Sequence, residues 1–226
     1  MSCLVYNSGL TEYSRAYRLQ KDIRGRVING EQRDTLLIME HPPTITTGVS
    51  GNTENILVSE AELAGLGISL FFTERGGDIT CHAPGQLVAY PILDLTNRDR
   101  DAHRYVNDLE EVVVRTLKDF SIEGDRDESH AGIWVDNCEI AAIGISISKW
   151  VTMHGIALNI NTDLDIFTLV NPCGFTDRTA TSMAKLLSGE VDSDSVTSIF
   201  LKHFGEVFET RLEESPLEAL TGGGNG

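Results

Sequence analysis

Long apolar runs are missing from this chain of 226 residues. No stretch approaches the roughly 20 apolar residues that a membrane-spanning helix needs. The first residues also lack the basic-then-apolar order of a secretory signal, so the sequence predicts a cytoplasmic protein that does not contact membranes. Proline is scarce, with 6 residues, and no Pro/Ser-rich linker divides the chain. One catalytic-sized domain over 1–220 is therefore expected, with the glycine-rich 221–226 as a flexible tail. Cysteine is scarce too: Cys3, Cys81, Cys138 and Cys173 fall at irregular spacings with no Cys-x-x-Cys pair. That pattern argues against a metal site and a disulfide framework, and for reduced thiols.

Positive charge is the third shortage. Eighteen Lys and Arg stand against 34 Asp and Glu, a formal net charge of −16, which excludes the broad basic face that a nucleic-acid binder needs. One region runs the other way. Arg15, Arg18, Lys21, Arg24, Arg26 and Arg33 cluster early, against only Glu12, Asp22 and Glu31. Such a cluster is either a solvated helix face or a patch for an acidic partner, and the sequence leaves both open.

What is present is a globular balance of 41% hydrophobic and 23% charged residues, placing the chain among soluble proteins with a core. Tyr13, Tyr17, Ile23 and Val27 predict an amphipathic helix within Thr11–Ile28, and Val106, Leu109, Val113, Leu117 and Phe120 a core-facing one over Ala102–Phe120. Val196, Phe200, Phe204 and Val207 repeat the pattern near the C-terminus, and Thr181–Leu187 reads as a short helix. Strand-like runs occupy Thr35–Met39, Leu70–Thr73, Val88–Ile92, Gly132–Val135, Ile140–Ser148 and Thr152–Asn161. No strict βαβ rhythm links them. The fold class this implies is α+β, a single domain with a mixed sheet flanked by helices.

The densest signal for function is Arg75-Gly-Gly-Asp-Ile-Thr-Cys-His-Ala-Pro-Gly-Gln86. Gly76, Gly77 and Gly85 permit positive φ and close approach of a ligand to the backbone, around His82 and Gln86. A second cluster comprises Met153-His-Gly-Ile-Ala-Leu-Asn-Ile-Asn161 and Leu169-Val-Asn-Pro-Cys-Gly-Phe175. Glu40-His-Pro-Pro-Thr-Ile-Thr-Thr-Gly48, Gly132–Val135 and Ile140–Gly144 complete a collinear set from roughly Leu36 to Leu187. In these segments the chain resembles the lipoyl(octanoyl) transferases.

That resemblance implies a fold shared with biotin and lipoate protein ligases, and no cofactor, metal or nucleotide. It implies transfer of an octanoyl group from octanoyl-acyl carrier protein to a lysine of apo lipoyl domains, those of 2-oxoacid dehydrogenase complexes and the glycine cleavage H protein. Cys173 would carry the acyl group as a thioester, a role its thiolate suits. Local sequence alone leaves Cys173 equally a buried small hydrophobe. By the same resemblance His82 and His154 belong to the catalytic group, while Arg75, Gly76, Gly77, Gln86, Gly144, Gly155, Ala157 and Asn159 bind substrate. His41 is expected to end a strand and shape a wall, and Thr46 and Gly48 to follow in a turn.

Three positions depart from the family. Where it has an acid/base lysine, just before Ile-Ala-Ala-Ile-Gly, this chain has Glu139, preceded by Cys138, and the nearest lysine is Lys149. An ammonium would favour a nearby thiolate, whereas a carboxylate opposes it. His82, His154 or Glu139 itself as base would each compensate. An impaired variant, or a protein that only binds acyl groups or lipoyl domains, is equally consistent. An ATP-dependent lipoate or biotin ligase fits less well, for want of that lysine. Ala83 replaces a glycine, and Val49 and Ser50 stand where an arginine is common.

Overall fold

The computed structural model describes residues 1–127, 130–171, 179–217 and 220. In chain order its elements are β1 (Ser2–Leu10), α1 (Tyr13–Ile28), β2 (Thr35–Glu40), β3 (Thr44–Thr47), α2 (Glu60–Gly65), β4 (Ser69–Phe72) and β5 (Ile79–His82). There follow β6 (Gln86–Ile92), α3 (Ala102–Asp119), β7 (Asp125–Arg126), β8 (Gly132–Val135), β9 (Cys138–Ser148) and β10 (Val151–Asn159). The chain closes with β11 (Thr179–Ala180), α4 (Met183–Leu187), α5 (Ser193–Val207) and β12 (Arg211–Glu214).

The main mixed sheet has the order β12-β1-β2-β6-β10-β9-β8-β7, with β11 pairing β9 in parallel. Both of its faces are covered, which explains why β2 reads as a nearly unbroken apolar run. Its residues alternate between two cores: Leu36 and Ile38 pack with α3 and α5, Leu37 and Met39 with α1. In β6, Leu87 and Ala89 join the first core while Val88, Tyr90 and Ile92 join the second. A smaller sheet, β4-β3-β5, packs with α2 around Ile45, Leu63, Ile79 and Cys81.

Local chemistry starts and stops these elements. Asp101 caps α3 by accepting from the backbone N–H groups of His103 and Arg104, and Ser59 with Glu62 forms a capping box on α2. β9 turns directly into β10 through Lys149 and Trp150, both at positive φ, as a two-residue hairpin with matching twist demands. Two expectations change here. Thr44–Thr47 is the strand β3 rather than a turn, because its backbone pairs with both β4 and β5. Lys149, on the hairpin tip, lies ten residues from Glu139 along an extended strand, roughly 30 Å, and is out of reach of it.

Candidate active site

A cavity of about 930 Å³ lies over the α1-facing side of β6, β10 and β9 and under the segment joining β4 to β5. Of the residues singled out from sequence, Arg75, Gly76, Gly77, His82, Glu139, Gly144, His154, Gly155 and Ala157 line it, and Gln86 and Asn159 do not. Cys173 lies outside the described residues. It stands two positions after Asn171 and six before Thr179, both of which line the cavity.

Register explains the cavity floor. Ala142 pairs with Ala157 and Gly144 with Gly155, so small residues face each other across two adjacent strands. At Gly144 a Cβ would stand 3.0 Å from the Arg75 Cδ, so the missing side chain is what lets Arg75 lie across β9. At Gly155 a Cβ would stand 2.3 Å from the Ala89 carbonyl oxygen, which makes glycine obligatory for the β10–β6 contact.

Arg75 is 7% exposed, and its guanidinium donates to the Thr46 carbonyl at 2.7 Å, to the Thr46 hydroxyl and to the Gly76 carbonyl. Burial works against its charge and lowers its pKa, while Tyr13, Tyr90, Asp78 and Glu139 act the other way. Glu139 therefore helps to hold a buried cation in the wall. A lysine there would oppose Arg75.

His82, at the end of β5, is oriented by a relay. The Gln86 Oε1 can only accept, so His82 donates from Nδ1 at 2.8 Å and keeps its lone pair on Nε2. The Gln86 amide donates to Asn159 Oδ1 at 2.8 Å, and Asn159 donates to the Thr181 carbonyl at 3.0 Å. Thr181 in turn donates its backbone N–H to the Glu139 carbonyl. Gln86 and Asn159 thus tie His82 to the strand bearing Glu139. Burial pushes the His82 pKa well down, with His41 adding to the effect, so the ring is neutral at physiological pH.

His154 is built differently. It lies inside β10 with φ +62, a left-handed conformation that a non-glycine residue holds only under constraint. Its ring stacks on Tyr17, whose hydroxyl donates to Glu74, and Glu74 is also paired with Arg24 at 3.2 Å. Burial works against the ionised form of Glu74, but donation from Tyr17, a backbone hydrogen bond, the nearby His154 ring and the Arg24 charge hold its pKa below the usual value. Burial lowers the His154 pKa to about 4 even with Glu74 4.0 Å away. Since His154 pairs with Ile145, six residues beyond Glu139 on β9, it stands roughly 20 Å from Glu139. His82 stands in the aromatic wall against Tyr13 and His41, and reaches the strand that bears Glu139 through the Gln86, Asn159 and Thr181 relay.

His41 follows β2 directly, as expected. Its Nδ1 donates to the Thr11 carbonyl at 2.6 Å and its Nε2 accepts from the Tyr90 hydroxyl at 2.8 Å. Its ring also meets Tyr13 and His82, so it braces the wall. The aromatic members Tyr13, Tyr17 and Tyr90 had helical or strand spacing in the sequence, but only the tertiary fold shows that they converge. Ala83 is buried and free of positive φ, so its methyl fits. Val49 is 70% exposed at the edge of the Arg75–Gly77 segment.

Sheet order, two-sided helical cover and a cavity walled by the Arg-Gly-Gly segment define the class, and the chain belongs to the lipoyl protein ligase A/B catalytic domain family, whose model matches residues 12–205. Lipoate and biotin protein ligases share this fold: lipoate-protein ligase A bound with ATP superposes with a TM-score of 0.79 at 16% identity, covering 97% of this chain and 92% of that one. Within the family, the chain is similar to proteins named octanoyltransferase. That of Caldicellulosiruptor saccharolyticus is 46% identical over 90% of this chain and 87% of its own length. That of Gloeobacter violaceus is 41% identical over 96% and 95%.

Proposed function

We propose that this protein is a cytoplasmic octanoyltransferase of protein lipoylation, with residues 1–220 as its catalytic unit. Its donor is octanoyl-acyl carrier protein, and its acceptors are apo lipoyl domains of 2-oxoacid dehydrogenase complexes and the glycine cleavage H protein. The observation that carries this reading is a cavity roomy enough for an acyl chain, floored by small residues, and lined by residues on both sides of the segment that holds Cys173. Relatives named octanoyltransferase at 41–46% identity over most of the chain support it.

In this mechanism the Cys173 thiolate attacks the thioester carbonyl of the donor. A new C–S bond forms, the old one breaks, and the carrier thiolate leaves and takes up a proton. The neutral amine of the acceptor lysine then attacks the Cys173 thioester. The amide forms, the Cys173–acyl bond breaks, and the amine's proton passes through a base to restore the thiol. His82 is the candidate for that base on geometry, oriented through Nδ1 with its lone pair on Nε2, while its burial weakens its basicity. Arg75 and the backbone of Gly76 and Gly77 are assigned to the donor's carbonyl or arm, with Gly144, Gly155 and Ala157 beneath the chain. Gln86 and Asn159 act by positioning His82.

Glu139 supports a second reading, a protein that binds acyl groups or lipoyl domains without turnover. Mass spectrometry after mixing with octanoyl-acyl carrier protein separates the two. An octanoyl adduct on Cys173, passed on to a lipoyl domain, is the expected result. Binding without an adduct would select the second reading, and transfer that requires ATP would select a ligase.

A further inference from the structure

Three segments that meet at the cavity are held by one carboxylate. Asp78 follows the Arg75–Gly77 wall directly and lines the cavity. Its Oδ1 accepts from the Asn52 backbone N–H at 3.0 Å, and its Oδ2 from the Asn55 side-chain amide at 2.7 Å. The Asp78 carbonyl accepts from the Gly48 N–H at 2.8 Å, so the turn that follows β3 is stitched to the wall as well. A carboxylate accepts on both of its oxygens, which an amide of the same size cannot do.

Asn55 passes that hold on. Its carbonyl accepts from the Asn171 N–H at 2.7 Å, and the Leu57 N–H donates to the Leu169 carbonyl at 2.9 Å. Ile56 and Val170 form the antiparallel bridge between these two bonds. Leu57, Val170 and Asn171 all line the cavity. Asn171 is the last described residue before Cys173, and two residues of chain reach no further than about 7 Å. On the other side the next described anchor is Thr179 on β11, six residues from Cys173 and a reach of roughly 20 Å. The Asn171 end therefore limits the place of the thiol far more tightly.

We propose that Asp78 and Asn55 are positioning residues of the transfer: the Asp78 carboxylate, through the Asn55 amide, fixes Asn171 and so sets the Cys173 thiol against the Arg75–Gly77 wall. This rests on the octanoyltransferase reading and names the device that aligns its nucleophile. The wall assigned to the donor and the segment leading to the thiol are joined through one side chain. Two hydrogen bonds, Asn55 to Asp78 and Asn171 to Asn55, set their separation. Such alignment governs rate, since misplacing a reacting atom by about 1 Å costs about a hundredfold. Neither residue needs to touch the reacting atoms to have this effect.

Asn55→Leu removes the amide, and Asp78→Asn leaves one oxygen for these two donors. In either variant, single-turnover acylation of Cys173 by octanoyl-pantetheine should slow at least about tenfold, in its maximal rate and not in the donor concentration at half-maximum. Alkylation of Cys173 by iodoacetamide, a small reagent that needs no alignment with the wall, should change by less than about twofold. The double variant N55D/D78N exchanges donor and acceptor, rebuilds the hydrogen bond and should recover most of the rate. Asp78→Asn is isosteric and carries the test if Asn55→Leu does not fold. Unchanged acylation, acylation and alkylation that fall together, or a double variant no faster than Asp78→Asn, overturns the assignment. Hydrogen exchange of the Asn171 amide requires no turnover, and it should quicken in both single variants and slow again in N55D/D78N. That outcome upholds the anchor even where the unaltered protein takes up no octanoyl group and the transferase reading fails. Exchange indifferent to all three variants overturns it.

Discussion

At the β11 end of the cavity the walls are strand backbone and small residues, with Glu139 set on β9 beside a one-residue bulge at Ile140. At the α1 end they are interlocked rings, Tyr13, Tyr17, His41, His82, Tyr90 and His154, each in contact with at least one other. The first end holds the carboxylate of Glu139, where the resemblance led us to expect a lysine, and the second is where neutral imidazoles are held by burial. The contrast teaches that the carboxylate of Glu139 and the rigid wall are separated here, with the candidate base His82 held in the wall. An altered charge at Glu139 leaves the aromatic wall intact, whereas a change in the wall should be felt as lost stability.

The largest effect should come from Cys173→Ser. Acyl transfer should fall by at least about a thousandfold, since the alcohol is far less nucleophilic without a strong base, while the thermal midpoint stays unchanged. Steady turnover by that variant would remove Cys173 from the chemistry. Gly155→Ala tests the other end: the added methyl meets the Ala89 carbonyl at 2.3 Å, so about 3 kcal/mol of stability should be lost in denaturant titration. A loss below about 1 kcal/mol would show that β6 and β10 can separate at this point.

The imidazoles sharpen the comparison through pH. His41 and His154 both have pKa values lowered to about 4 by burial, against an ordinary value near 6.5. Between these values the unfolded chain binds the extra protons, so stability is fully present above about pH 6.5 and falls as pH drops towards 4. Each ring contributes roughly 3 kcal/mol to that loss. Urea titrations across this range should show the decline, with part of it removed in His154→Asn. A flat profile would mean that both rings are reached by solvent.

Smallest, and confined to the β11 end, is Glu139→Lys. An ammonium in place of the carboxylate should lower the apparent thiol pKa of Cys173 by about one unit and speed its alkylation about tenfold below that pKa. The same change should lower stability, because Arg75 exchanges a favourable charge for a repulsive one. An alkylation profile identical to that of the unaltered protein would place Glu139 away from the thiol.

Much of the scaffold was legible from periodicity. Leu109, Val113 and Leu117 mark α3, and the alternation of Ile156, Leu158 with Ala157, Asn159 marks β10, because both patterns are read over many consecutive residues. The strands β1, β3, β5, β7, β11 and β12 and the helix α2 were not predicted. β3 and β5 have four residues each, too few for a period to show, and β3 lies between Pro42-Pro43 and Gly48, which read as turn signals. In the site, the Arg-Gly-Gly segment and both motif histidines were found and do line one cavity. Gln86 and Asn159, expected from the sequence to bind substrate, hydrogen-bond to His82, to each other and to the Thr181 carbonyl.

The sequence by itself determined the two-faced elements, the family and the set of polar residues from which the site is made, since these are properties of residue type and local spacing. Only the tertiary structure decided which end of the cavity each residue serves. Strand register sets His154 opposite Ile145, roughly 20 Å from Glu139, and the packing of α1 on β10 brings Gln20 and Tyr17 to that histidine from more than 130 positions away. Register and packing are set by burial of whole faces at once, and no local stretch of sequence carries that information.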